Sequence, residues 1–466
     1  MNTAQQWLKT HHEDIVRGLA DLVAIPSISN DGEHTAEIER TAKLTCDQMR
    51  DAGLNNVEVL RVGNSLPYAY GEWLEAGPTK PTLFLYAHHD VQPINYIEQW
   101  KSDPWKLTRR DGRLYARGSA DDKAAISAFL GAIAAYRKTD NTLPVNIKMV
   151  VEGEEEIGSK NLMKFFDVYR DKIKSDVIVV CDTENIEVGL PCITYSLRGI
   201  VQVHVEVKTA AIPVHSGMAG GALPDAAIAL NAMLGKLYWG NGPVAIPGFY
   251  DDVRPVTEKE RALFTKLPWD DGKFRNEVGV VPGARYANET GLSVYEQTWR
   301  RPAVTVVAQE ASNIKNVSNQ VLPKAEAILS CRIVPDQKPD HVAKVLQDFL
   351  QKDAPWGAEV TVKPQGAVKW WMTDPNGPAF ECAMAALRIG YDRDPVAIGS
   401  GGSIGFVGPL ADLFGGAPAL LLGIEDPASN AHAPNESLHE GDFKKLMASL
   451  VMLFENLGKL PPSGVK

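Results

Sequence analysis

The chain has 466 residues, 44% of them hydrophobic and 23% charged, with a formal net charge of −10. That length favours two or three domains with apolar material for a large core. The acidic balance excludes a general nucleic-acid binder, which needs a basic face, and no run reaches the roughly 18 apolar residues of a membrane helix.

In chain order, MNTAQQWLKTHHEDIVRGLADLVAIPS reads as an amphipathic helix rather than a signal peptide, lacking a basic start, an apolar centre and a small-residue cleavage site. Residues 1–50 predict two helices around the loop IPSISNDGEHT. Strand signals follow at 57–62 and 69–74. Then comes the apolar run Leu83-Phe84-Leu85-Tyr86, a buried strand that stops at His88-His89-Asp90 before Pro93. GRLYARGSA supplies a short strand and a glycine turn, and Asp121 opens a helix to about Arg137. NIKMVVEGEEE and SDVIVVCDTE are further strands, separated by a helix over 161–169 and ending at Glu154 to Glu156 and at Asp182. Strands alternating with helices predict a mostly parallel sheet covered on both faces, with sites at the C-terminal strand ends.

The texture changes near residue 198. GIVQVHVEVKT, AVTVVAQE, AEAILSCRIV and AEVTVKPQG alternate as half-buried strands do, with helices over 224–237 and in PDHVAKVLQDFLQK, and a Gly/Pro-rich irregular region between. After Trp370-Trp371 the chain returns to a helix, PNGPAFECAMAALRIG, and a buried strand, LLLGIED. The expected fold is α/β: a mostly parallel-sheet domain built from 1–197 and 372–466, with an α+β domain, 198–371, inserted. The five cysteines, Cys46, Cys181, Cys192, Cys331 and Cys382, form no CxxC pair and read as free thiols of a reducing cytoplasm.

The strand ends and the first turn of the helix after Ala120 gather His88, Asp121, Glu156, Asp182 and His432. Imidazole nitrogen and carboxylate oxygen are ligands for Zn2+ and similar ions, and a two-metal hydrolytic site needs about five protein ligands, one of them shared. Asp90, two residues beyond His88, lies on the same side of an extended chain and can accept the other imidazole N–H. Adjacent side chains diverge, so one of Glu155 and Glu156 can bind metal while the other stays free as a general base. Zn2+, Mn2+ and Co2+ all suit such donors.

HHDVQP, GRLYARGSADDKA, EGEEEIGS, CDTE and NAHAPNES together resemble the aminoacylase/carnosinase/carboxypeptidase G family of di-metal metallopeptidases. The resemblance covers essentially the whole chain and is nearest to the cytosolic nonspecific dipeptidases. It implies that the inserted domain is a lid and dimerisation domain of a homodimer. It further implies that two divalent ions per subunit are held by His88 and Asp182 on one side and Glu156 and His432 on the other, with Asp121 bridging. Glu155 would be the general base, Asp90 would orient His88, and a cis peptide would follow Asp121. In IPVHSGMAGGALPDA, His215 matches the histidine that reaches the partner's active site and polarises the scissile carbonyl. Arg332 matches an arginine that holds the substrate carboxylate. Asn319 lies where relatives place a polar substrate-side group, Gly401, Gly402 and Ser403 match a loop near the substrate terminus, and Glu436 would meet a free amino group.

Three positions depart from that pattern. His89 stands where relatives often carry tyrosine and reads as packing, not a further ligand. Gly399 replaces an arginine, and GALPDA differs from the usual lid sequence. The expected activity is metal-dependent hydrolysis of a peptide-type amide in a small substrate with a free carboxylate, a dipeptide first. N-acyl-amino-acid deacylation or carboxypeptidase action is the alternative, and a catalytically silent dimeric binding protein the rival from another class. Neither nucleic acid nor membrane is expected as a partner.

Overall fold

The computed structural model describes residues 2–466 apart from Asp31, Trp239, Asn241, residues 288–290 and Asp353. The strand Thr82–His88 runs through the middle of a nine-stranded sheet, parallel to Asn146–Glu152 on one side and Val177–Glu184 on the other. Ala419–Glu425 extends the parallel set beyond Val177–Glu184. The outer strands, Asn55–Leu60 and Tyr68–Trp73 at one edge and Cys192–Leu197 towards the other, join antiparallel. Because the four central strands run the same way, their C-terminal ends share one edge of the sheet, and that edge carries His88 and Asp182.

Both faces of this sheet are buried, which is why its strands read as continuous apolar runs. Leu83, Leu85 and Ala87 pack into one core with the helices Lys123–Thr139, Pro378–Tyr391 and Glu440–Leu457. Phe84 and Tyr86 point the other way, into a core with Phe165, Phe166 and Phe406. The helix Lys123–Thr139 is buried on every side from Lys123 to Tyr136. Its run of alanines and one glycine lets neighbouring helices approach closely, and it is apolar all round because no face meets water. Lys123 is accommodated there because its Nζ donates to the carbonyls of Leu22 and Ile25 at 2.9 Å each. No described helix is long and apolar enough to cross a membrane.

Between residues 199 and 368 lies a separate four-stranded antiparallel sheet, in the order Ala303–Glu310, Lys324–Ile333, Gly199–Lys208, Glu359–Val368. Val201, Val203, Val205 and Val207 face its own core with the helices Ala226–Leu234 and Pro339–Gln351, while the intervening residues stay partly open. Arg198 alone separates the last strand residue of the large sheet from the first of the small one. The return crossing packs directly on it: a Cβ at Gly199 would lie 2.4 Å from the Val368 carbonyl oxygen, so the junction requires glycine.

Two local expectations differ. The N-terminal segment is two helices, Thr3–Thr10 and His12–Val23, rather than one. Thr10 Oγ1 donates to the Trp7 carbonyl at 3.0 Å and His11 Nδ1 lies 3.0 Å from the same oxygen, so side chains compete for the helix acceptors and end it. The Gly/Pro-rich region holds three short helices, Glu258–Lys266, Asp271–Glu277 and Val294–Arg300. Thr257, Asp270 and Ser293 start them as N-caps, each accepting a backbone N–H three residues on. These helices pack through Phe264, Leu267, Tyr295 and Trp299 against Cys192 and Ile398, strand residues of the large sheet.

Glu440 ties the first and last parts of the chain together, meeting His12 Nε2 at 2.8 Å, Arg109 Nε at 2.8 Å and Lys444 Nζ at 2.9 Å. Burial opposes its ionisation, yet hydrogen bonds from Lys444, Arg109 and His12 outweigh it and pull the pKa from 4.5 to about 2. A depressed carboxylate pKa adds stability that is complete above the unfolded value and is lost as pH falls through the folded one. Glu440→Gln is expected to cost about 1–3 kcal/mol at pH 7 in urea unfolding. The gap from the unmodified chain should narrow between pH 4.5 and 2.

Candidate metal centre

Two groups of side chains at the sheet edge have their ligand atoms within 4.8 Å of one another: His88, Asp121 and Asp182, and Asp121, Glu156 and His432. Asp121 belongs to both. Its Oδ1 lies 3.0 Å from His88 Nε2 and its Oδ2 2.9 Å from His432 Nε2, so its two oxygens face opposite groups as a bridging ligand must. The Asp121–Asp122 peptide is cis, as the resemblance implied. Glu156 Oε2 lies 3.3 Å from His432 Nε2.

Residues outside the cluster hold several of these side chains in place. Gln92 donates its backbone N–H to Glu156 Oε1 at 3.1 Å and its side-chain amide to Oε2 at 2.6 Å. The Asp90 carboxylate accepts the backbone N–H groups of Glu155 and Glu156 at 3.2 and 3.0 Å. His88 Nδ1 sits 3.1 Å from the Asp90 carbonyl oxygen and 3.5 Å from its Oδ1. The imidazole N–H thus faces both the Asp90 main-chain oxygen and its carboxylate, and that carboxylate also fixes the turn that carries both glutamates. His89, as expected, is packing: it is fully buried with Nε2 3.1 Å from the Pro67 carbonyl.

Four carboxylates, Asp121, Asp182, Glu155 and Glu156, meet here with two imidazoles, and among the described residues no lysine or arginine forms an ion pair with any of them. Burial raises the pKa of Asp182 and Glu156 and pushes Glu155 up to about 7. Hydrogen bonds from His432 to Asp121 and then to Glu156 raise the His432 pKa to about 11. Concentrated buried negative charge of this kind is stable only with cations beside it. The donor set, imidazole plus carboxylate with one shared oxygen pair, fits two divalent ions. A third acid–histidine group, His12, Glu13 and Glu440, does not, because Arg109 and Lys444 already occupy its carboxylates.

The substrate-side residues fall in three places. Arg332, Gly401 and Ser403 meet at the junction of the two sheets, with Gly402 beside them. Arg332 Nη1 donates to Ser403 Oγ at 2.8 Å, and Ser403 Oγ donates to the Arg198 carbonyl at 2.6 Å. Arg198, which sequence reasoning passed over, donates from Nε to the Gly401 carbonyl at 3.1 Å. Neither guanidinium has a carboxylate partner among the described residues. Burial lowers both pKa values, and the neighbouring Arg332 helps take Arg198 to about 10. Two uncompensated guanidiniums form a seat for a carboxylate.

His215 and Asn319 lie together on the small domain, where the Val214–His215 strand pairs with Gln320–Val321 and Ser216 N–H donates to the Asn319 carbonyl at 2.9 Å. Both are exposed, and no hydrogen bond or ion pair links either to the metal cluster among the described residues.

Glu436 requires a correction. It is fully buried, paired with Arg117 Nη1 at 2.7 Å, and accepts the N–H groups of Gly118, Ala120 and Asp121 at 3.0, 2.9 and 3.1 Å. With all its acceptor positions taken it cannot meet a substrate amine; it holds the loop that presents Asp121. At Gly399, a Cβ would lie 2.8 Å from Trp299 Cβ and 2.9 Å from Ser196 Oγ, so the position has no room for the arginine of relatives.

If Asp121 serves both ions, Asp121→Asn should lower bound metal well below that of the unmodified chain by elemental analysis. Saturating metal at a hundred times Kd adds about 2.7 kcal/mol to folding, so chelation should lower Tm by roughly 3 °C in a chain this long. That drop should largely vanish in Asp121→Asn.

Residues 84–456 match the model of peptidase family M20/M25/M40. The cysteinylglycine-S-conjugate dipeptidase of Corynebacterium striatum is 33% identical over 433 residues, covering 92% of each chain. Human carnosine dipeptidase 1 superposes with a TM-score of 0.85 at 26% identity, over 98% of each chain. The M20 family metallo-carboxypeptidase Sso-CP2 of Sulfolobus solfataricus superposes with a TM-score of 0.82 at 28% identity, over 96% of this chain and 99% of that one. Motif, ligand geometry and fold agree, and the chain belongs to peptidase family M20/M25/M40, a hydrolase of the metallopeptidase type.

Proposed function

We propose that the protein hydrolyses dipeptides with a free C-terminal carboxylate, as a homodimer carrying two divalent ions per subunit, Zn2+ or Mn2+, in a reducing cytoplasm. The observation that carries the reading is the pairing of a carboxylate-rich, lysine- and arginine-free centre with the uncompensated Arg198–Arg332 pair at the sheet junction. Names of relatives support the substrate: cysteinylglycine-S-conjugate dipeptidase and Beta-Ala-His dipeptidase. The five cysteines are all free, which supports the compartment. Sso-CP2, a carboxypeptidase, keeps that activity as the second reading.

In this reading His88 and Asp182 hold one ion, Glu156 and His432 the other, and Asp121 both. Bound divalent ions supply Lewis acidity to a carbonyl oxygen and make water a better proton donor. Arg332, Arg198 and Ser403 hold the substrate carboxylate, and the Gly401–Gly402 backbone closes against it. Glu155, free of any ion-pair partner among the described residues and with its pKa pushed up to about 7, takes the proton from the attacking water and returns it to the leaving amine. Asp90 sets the turn that aims Glu155.

Residues 1–197 and 372–466 form the catalytic unit, and 198–371 form the lid. The lid's outer strand, Ala303–Glu310, is a sheet edge with Val306 and Val307 exposed; Ile314 and Val317 nearby are 95% and 84% exposed and Met218 is 84% exposed. Exposed apolar side chains on and after an open sheet edge support dimerisation there. His215, exposed on that same domain, would complete the partner's site.

Glu155→Gln should reduce kcat by about 100- to 10,000-fold while metal content by elemental analysis stays at that of the unmodified protein; loss of metal together with activity would contradict its role as base. Val307→Arg combined with Ile314→Glu is expected to shift the mass by light scattering from dimer to monomer and to abolish turnover together with it. A monomer that keeps full activity would remove His215 from the mechanism.

A further inference from the structure

Beside the metal centre lies a cavity of about 650 Å3 that the reading above leaves without a role. Its wall is built by the helices Asp271–Glu277 and Val294–Arg300 and the segment 268–270 before the first of them. Tyr295 and Trp299 stack at 4.5 Å, Trp269 meets Tyr295 edge-on at 5.5 Å, and Phe274 lies 5.0 Å from Trp269. Its floor belongs to the catalytic sheet: Glu184 on the strand that carries Asp182, and Asn430 in the loop that carries His432. Glu184 is two residues beyond Asp182, so both side chains leave the strand on the same side.

Charge and placement restrict the occupant. The lining carries three carboxylates, Glu184, Glu187 and Asp270, against one lysine, Lys273. Glu187 is paired with Arg393 at 3.1 Å and Asp270 accepts the Lys273 backbone N–H, whereas the Glu184 side chain has no hydrogen bond or ion pair among the described residues. Trp299 is seated against Gly399, where any side chain would displace it, so the glycine makes room for the aromatic wall. The helix Val294–Arg300 lies between this cavity and the carboxylate seat. Thr298 and Trp299 line the cavity, while Arg198 Nη1 donates to the Arg301 carbonyl at 3.4 Å just past the end of that helix. A carboxylate beside aromatic faces suits an ammonium group joined to an apolar body.

We propose that this cavity receives the N-terminal residue of the substrate, with a bulky apolar or aromatic side chain against Trp269, Phe274, Tyr295 and Trp299 and the α-ammonium directed to Glu184. The assignment rests on the dipeptidase reading and deepens it. It predicts that peptides with a large N-terminal side chain are preferred, and that an acylated N-terminus, which has no charge for Glu184, is disfavoured.

The test compares Phe-Gly, Leu-Gly, Ala-Gly and N-acetyl-Phe-Gly on the metal-loaded full chain, by kcat/KM and by calorimetric binding to the metal-loaded Glu155→Gln protein. The unmodified enzyme should favour Phe-Gly over Ala-Gly by at least tenfold in kcat/KM, and binding should follow the same order. Trp269→Ala, which alters a half-exposed ring, should cut the Phe-Gly to Ala-Gly ratio at least fivefold. Glu184→Gln should raise KM for all free dipeptides and shrink the gap to N-acetyl-Phe-Gly. If dipeptides are cleaved but neither variant moves these ratios, the cavity assignment falls and the dipeptidase reading stands. If no dipeptide is cleaved or bound, both fall.

Discussion

The structure is organised by one electrostatic constraint. Asp121, Asp182, Glu155 and Glu156 converge with, among the described residues, His88 and His432 alone as ion-pair partners, at the edge of a sheet whose two faces are dry. Carboxylates so crowded and so poorly solvated repel one another and resist ionisation, as the raised pKa values of Asp182, Glu155 and Glu156 express. Divalent cations are the economical remedy, because each compensates two charges without side-chain bulk. The parallel strands deliver the ligands to one edge, and the covering layers keep water away from the backbone that supports them.

A second tier of contacts keeps the ligands in register. Glu436 and Arg117 are both buried and paired, and the Glu436 carboxylate accepts the N–H groups of Gly118, Ala120 and Asp121. That ion pair would be a poor source of stability by itself, since desolvation offsets most of its attraction. Its value lies in fixing the loop before the cis peptide. Asp90 does the same for the glutamate turn, and Gln92 for Glu156. Glu436 and Asp90 therefore hold the centre through backbone N–H groups, and Gln92 through the Glu156 carboxylate itself.

The candidate ligands that the structure brings together were legible because they stand at or after the end of an apolar run: His88 after Leu83-Phe84-Leu85-Tyr86, Asp182 after VIVVC, and His432 in the loop after LLLGIED. The mostly parallel sheet and the separate antiparallel one were legible from alternation against continuous apolarity. Position relative to the chain's own partners was not. Glu436 lies four residues from His432 and looked available, but nothing in NAHAPNES reveals that Arg117 and three amides, more than 300 residues away in the chain, already saturate it. Arg198 stood in plain view in SLRGI, yet its pairing with Ser403 and Arg332 depends on long-range contacts. The helices of 258–300 were missed although Thr257-x-x-Glu260 and Ser293-x-x-Glu296 spell capping signals, because prolines and glycines around them dominated the reading.

The junction at Arg198 joins these strands of argument. One residue separates the large-sheet strand Cys192–Leu197 from the first strand of the lid, and its guanidinium grips the Gly401 carbonyl while its own carbonyl takes the Ser403 hydroxyl. Arg332 reaches the same serine from the lid. A carboxylate bound there would neutralise two like charges that now face each other across the domain boundary, and would draw lid and catalytic sheet together at the point where the chain crosses between them. Binding energy from the remote end of a substrate is thus placed where it can order the lid over the metal centre, which is how such energy is turned to catalysis rather than to affinity alone.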